Sequence, residues 1–120
     1  MQYLLLVPVL YLLICAVLAL LQRRLLYSPT QDWIGTPEDI GLPYEDVWIA
    51  SRSEAKVHAW YLPHERPRAA VLFCHGNGGN NSHRLDSLRL MHDLGMSALI
   101  FDYPGYGQSG GSPSQKSMLE

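Results

Sequence analysis

The chain has 120 residues, 48% of them hydrophobic, and a formal charge of −2. No side chain from Met1 to Leu21 is charged, whereas all 9 Lys and Arg residues stand at Arg23 or beyond, so the composition describes two unlike pieces. Basic residues scattered among acidic ones, near neutrality, leave no stripe for a phosphate backbone, and nucleic acid is excluded as an expected partner.

The first piece reads as a membrane span. An uncharged helix from Tyr3 to Leu21 covers roughly 28 Å, close to the hydrocarbon thickness of a bilayer. A cleaved signal peptide needs a basic leading segment and a small-residue cleavage site, and neither stands here cleanly. We therefore expect a single transmembrane anchor over residues 1–22, touching the bilayer through residues 3–21 and kinked at Pro8. Arg23 and Arg24 follow the span and only the chain amine precedes it, so the positive-inside bias places the rest in the cytoplasm. Cys15 and Cys74 fall in different elements, so no disulfide is expected between them.

Residues 23–43 carry Pro29, Gly35, Pro37, Gly41 and Pro43 with little periodicity and read as an extended connector. Tyr27 and Trp33 within it suit either the membrane interface or a core. Asp46 to Ala50 and Val57 to Leu62 are rich in β-branched and aromatic residues, and the polar Ser51-Arg52-Ser53-Glu54 between them predicts an antiparallel hairpin. Ala69 to Cys74 and Ala98 to Phe101 are unbroken apolar runs, the pattern of parallel strands buried on both faces. Between those runs, Ser82 can cap a helix whose apolar positions are Leu85, Leu88, Met91 and Leu94, with Gly95 ending it. Strand, helix and strand predict a right-handed crossover. Pro104 to Pro113 is a Gly- and Pro-rich loop, and Ser114 can cap a second helix running from Gln115 to Glu120. Residues 44–120 thus supply few strands and little helix for a parallel sheet that needs cover on both faces, which predicts the N-terminal portion of a truncated α/β domain.

The chemistry-bearing stretch is Val71-Leu72-Phe73-Cys74-His75-Gly76-Asn77-Gly78-Gly79-Asn80, a strand opening into a glycine-rich turn and then a helix. Such a turn can aim backbone N–H groups at a developing oxyanion, with the Asn77 N–H as the expected donor and His75 and Gly76 supporting it. It can equally be a tight turn and nothing more. Two other motifs fail on context. Gly107-Gln108-Ser109-Gly110-Gly111 spells a nucleophile elbow, but the preceding strand ends near Asp102 and Pro113 stands where a helix must begin. Gly105 to Gly110 spells a dinucleotide fingerprint in a loop that follows a later strand than it should. The histidines His58, His64, His75, His83 and His92 show no metal-ligand spacing, and none is read as a metal ligand. Asp102, at the end of a buried strand, is read as a ligand for the following loop rather than as a catalytic acid.

Taken together, the single span, Leu26-Tyr27-Ser28-Pro29, Trp60-Tyr61-Leu62-Pro63, His75-Gly76-Asn77-Gly78-Gly79-Asn80 and Phe101-Asp102-Tyr103-Pro104-Gly105-Tyr106-Gly107-Gln108-Ser109-Gly110-Gly111-Ser112-Pro113-Ser114 resemble the Bem46-like α/β-hydrolases, which are membrane-anchored serine hydrolases. The likeness covers nearly the whole chain; it departs at Glu54-Ala55, where the family often has Asp-Gly, and at Pro104, where Arg is common. It implies the N-terminal part of an α/β-hydrolase sheet: the hairpin, the strand–helix–strand unit and the start of a second helix. It also implies a cofactor-independent hydrolase of carboxylic ester, thioester or related acyl bonds, with small acyl or ester substrates. Nucleophile, acid and base would all lie past Glu120, leaving this segment with the oxyanion turn but catalytically silent. The alternative is a non-catalytic membrane-tethered interaction protein on a hydrolase-like fold.

Overall fold

The computed structural model describes residues 2–52 and 55–119. Ser53 and Glu54 of the hairpin turn, and Glu120 at the expected end of the last helix, lie outside the described residues. The first element, α1 (Gln2–Leu26), is a helix that runs on through Pro8. From Leu6 to Leu26 all its side chains are exposed, and that stretch is long and apolar enough to cross a membrane. A helix that is apolar all round has no single face to pack on a core. Arg23 and Arg24 in its last turn sit at the negative end of the helix dipole.

After α1 the chain makes a two-residue strand, β1 (Ser28–Pro29), and a 3₁₀ turn at Pro37–Ile40. The main sheet follows: β2 (Glu45–Ala50), β3 (Lys56–Leu62), β4 (Ala69–Phe73) and, after a second short strand β5 (Gly78–Gly79), β6 (Met96–Phe101). Its order is β2-β3-β6-β4. The hairpin is antiparallel with Trp48 opposite His58, and β4 runs parallel to β6 with Val71 opposite Ala98. This is the expected mixed sheet.

One layer covers it. Leu88 of α2 (Leu85–Asp93) is fully buried with Leu42, Trp60, Leu62, Ala98 and Ile100, and Leu85 and Met91 pack against the same cluster. Trp33, left open between interface and core by the sequence, packs edge-on against Trp60 with ring centroids 5.0 Å apart. The expectation that both parallel strands are buried on both faces holds for neither: in β6 Ala98 and Ile100 are buried on the α2 side, whereas Leu99 and Phe101 on the opposite side are only half-buried. Leu72 of β4 is 62% exposed and borders an open apolar hollow with Ile49, Val57, Leu99, Phe101 and Met118. The predicted cap also shifts by two residues. Asn80, not Ser82, caps the 3₁₀ turn at Asn81–Arg84 that leads into α2, its Oδ1 accepting from the Ser82 N–H at 3.0 Å. Gly95 ends α2 with φ 77°. The chain closes on a short helix, α3 (Gln115–Met118), capped by Ser114 as the sequence suggests.

Candidate active site

β4 stops at Phe73, and the next six residues build the turn that the sequence singles out. His75 is buried, whereas Gly76 and Asn77 are exposed. The His75 Nδ1 lies 2.7 Å from the Gly76 carbonyl oxygen, which can only accept, so Nδ1 carries a proton. On its other side, Nε2 lies 3.3 Å from Asp102 Oδ1, with both side chains wholly buried. That contact has the separation of an ion pair without the angle of a hydrogen bond, since Nε2 has no hydrogen-bond partner. The edges of Tyr103 and Tyr106 close around the ring, with centroids 4.9 and 5.7 Å away.

Asp102 ties three segments together. Its Oδ1 accepts from the Asn81 N–H at 2.8 Å, which links the end of β6 to the start of the helical turn. Gly107 packs directly on the same carboxylate: a Cβ at that position would collide with Oδ2, and its φ of 50° also favours glycine. Ser109 is buried, its hydroxyl donating to the Asp102 carbonyl at 2.6 Å and accepting from the His58 N–H at 2.8 Å. A serine used twice in this way is a clip between strand and loop.

Asn77 is held from below. The Tyr106 hydroxyl lies 2.8 Å from both the Asn77 carbonyl oxygen and its Oδ1, donating in a shared bond. Burial, above all, pushes the Tyr106 hydroxyl above the ordinary tyrosine range, so it keeps its proton. Burial does the same to Tyr103, assisted by the neighbouring Cys74. No acceptor for the Asn77 N–H is found among the described residues. The residue borders an open hollow of about 360 Å³ lined by Tyr27, His75, Asn77, Tyr103, Tyr106 and Met118.

Sequence reasoning missed two parts of this arrangement. Tyr106 stands 29 residues from Asn77, and nothing local marks the pair. The stretch after α1 also docks on the turn: Ser28 pairs with Gly78 and Pro29 with Gly79 in a parallel register. Among the described residues no group of three or more His, Cys, Asp or Glu side chains is placed to hold a metal ion.

A mixed sheet with this strand order, followed by a turn of this kind, is the N-terminal part of an α/β-hydrolase. An esterase of Pyrococcus furiosus superposes with a TM-score of 0.62 over 78% of this chain and 37% of its own, at 22% identity, a likeness of fold. In sequence the chain matches Bem46-like α/β-hydrolases over their N-terminal part. It is 34% identical over 113 residues to the α/β-hydrolase domain-containing protein WAV2 of Arabidopsis thaliana, covering 88% of this chain and 37% of that protein. Protein bem46 of Schizosaccharomyces pombe is 30% identical over 105 residues, 78% of this chain and 34% of its own. Membrane protein YNL320W of Saccharomyces cerevisiae is 32% identical over 102 residues, 81% of this chain and 36% of its own. The chain spans about a third of the length of the curated relatives it matches. No family model matches it. An exposed apolar helix and a relative described as a membrane protein together point to membrane association.

Proposed function

We propose that the full-length protein is a serine-type hydrolase of carboxylic ester, thioester or related acyl bonds, in which the Asn77 N–H stabilises the oxyanion of the tetrahedral intermediate. The observation that carries this reading is the free Asn77 amide beside an open hollow, with its carbonyl side fixed by Tyr106. A donor held in place before the reaction needs no reorganisation as charge develops, which is where such groups gain their effect. His75 and Gly76 support the turn from within. The protein is anchored by α1, with the hydrolase domain on the cytoplasmic side that Arg23 and Arg24 favour.

Residues 1–120 alone are catalytically silent on this reading. The buried serines Ser82 and Ser109 donate their hydroxyls to Asn80 Oδ1 and the Asp102 carbonyl and not to a histidine ring, the base that an acyl-transfer nucleophile needs. The test is Asn77→Pro in the full-length protein, which removes the proposed donor. We expect kcat on a short p-nitrophenyl ester to fall roughly 10²–10³-fold at an unchanged melting temperature. A rate within twofold of wild type would contradict the assignment.

A further inference from the structure

Resting on the acyl-hydrolase reading above, we propose that the substrate is an ester resident in the bilayer: a lipid whose acyl chain stays in the membrane while its carbonyl reaches the Asn77 amide. The pairing of β1 with β5 carries the inference. Ser28 is the second residue after α1, and it lies opposite Gly78, the neighbour of Asn77. With Cα atoms 3.8 Å apart along the chain and paired strands separated by roughly 4.8 Å, Asn77 cannot be more than about 16 Å from the last residue of the helix. The headgroup layer on each side of a bilayer is itself roughly 5–8 Å thick. The oxyanion turn is thus tied beside the depth at which lipid ester carbonyls lie.

The tie has no slack. The Thr30 carbonyl accepts from the Gly107 N–H and from Asn80 Nδ2, each at 2.9 Å, and Asn80 Nδ2 also reaches the Asp32 carbonyl at 2.9 Å. Asn80 is completely buried, so the segment leaving the membrane is clamped onto the domain and cannot act as a flexible tether. The hollow is bordered by the residue that follows the helix. Tyr27, the first residue beyond α1, lines the hollow at Asn77 and also a second cavity of about 590 Å³, whose wall includes Gln22, Arg23 and Leu26 of α1 and Lys116 of α3. Tyr27 thus stands between the hollow at Asn77 and a cavity along the end of α1, where Arg23 supplies a charge that attracts anionic headgroups. Hydrolysis balances with water alone: its oxygen bonds to the acyl carbon, the ester C–O bond breaks, and the departing alcohol takes the proton.

The test uses full-length protein reconstituted in phosphatidylcholine vesicles, with 4-methylumbelliferyl butyrate as the water-soluble ester and 4-methylumbelliferyl palmitate as the bilayer-resident one. A second protein carries ten Gly and Ser residues inserted between Leu26 and Tyr27, a linker spanning roughly 17 Å on average. We expect wild type to hydrolyse both esters, and the insertion to lower the palmitate rate at least tenfold while the butyrate rate stays within twofold. Butyrate hydrolysis without palmitate hydrolysis, or a palmitate rate unmoved by the insertion, overturns the lipid proposal and leaves the acyl-hydrolase reading standing. An equal loss on both esters also overturns it, because the junction then serves the structure of the site rather than its closeness to lipid. Wild type inactive on both esters overturns both readings.

Discussion

Tyr106 shows how a single hydroxyl can set the direction of a backbone amide 29 residues away in the chain. By holding the carbonyl and side-chain oxygens of Asn77, it leaves the N–H as the free end of that residue. Tyr106→Phe in the full-length protein is expected to cost about 1 kcal/mol of stability, a typical net value for one hydrogen bond. It is also expected to lower kcat about tenfold with little change in KM, because a misplaced donor matters most when charge develops. Chemical denaturation and steady-state kinetics check the two effects separately. The raised Tyr106 hydroxyl has a definite pH signature. Its folded-state value lies above the ordinary 10, so the stability linked to it is fully present below pH 10 and is lost as pH rises through the folded value. Wild type should therefore lose more stability than Tyr106→Phe between pH 10 and higher alkalinity, and the two should run parallel at neutral pH. Gly107→Ala tests the other buried contact. A methyl pressed onto the Asp102 carboxylate should destabilise by roughly 2–4 kcal/mol, the range of overpacking with strain, as read by the melting temperature.

Among the elements, those with local causes were legible and those with distant partners were not. The hairpin, the apolar runs of β4 and β6 and the helix of Leu85, Leu88 and Met91 follow from residue type and periodicity, and the structure returns each within a few positions. The cap differs because its reason is not local. Asn80 has a nearby oxygen for the Ser82 N–H, but its amide is held by the Thr30 and Asp32 carbonyls, about fifty residues earlier in the chain. Ser82 is released from capping to accept from the Ile34 N–H. Likewise β1 exists only because Gly78 and Gly79 lie beside it, a pairing that no propensity within Ser28-Pro29 announces. Asn80→Ala should therefore cost more than an ordinary cap, about 2–4 kcal/mol, because the Asp32 carbonyl loses its donor and the Thr30 carbonyl keeps only the Gly107 N–H, together with loss of the cap. Denaturant unfolding of the full-length protein provides the check, and a loss below 1 kcal/mol would mean that the clamp on residues 30–32 is weak.

At the scale of the whole molecule, the same turn that carries the candidate oxyanion site also receives the chain leaving α1, so the apolar helix and the site geometry are joined directly. The open sheet face, with Leu72 and Ile49 exposed, predicts that residues 27–120 produced alone bind a hydrophobic dye and self-associate. Light scattering and dye fluorescence read this directly, and a monodisperse, dye-silent product would argue against it. Which face of the sheet stays open was not visible in the sequence, because the apolar run of β4 asks for burial on both sides whether or not a covering layer is present. The exposed thiol of Cys74 reports on orientation. With the domain in the cytoplasm, a membrane-impermeant maleimide should label Cys74 only after the cells are permeabilised.

The most direct measurement is a crystal structure of the full-length protein after inactivation by a short-chain phosphonate, whose phosphoryl oxygen stands for the oxyanion. That oxygen is expected at roughly 2.7–3.1 Å from the Asn77 nitrogen, with Tyr106 still on the Asn77 carbonyl. A phosphoryl oxygen bound elsewhere, with the Asn77 N–H donating to a protein acceptor, would contradict it.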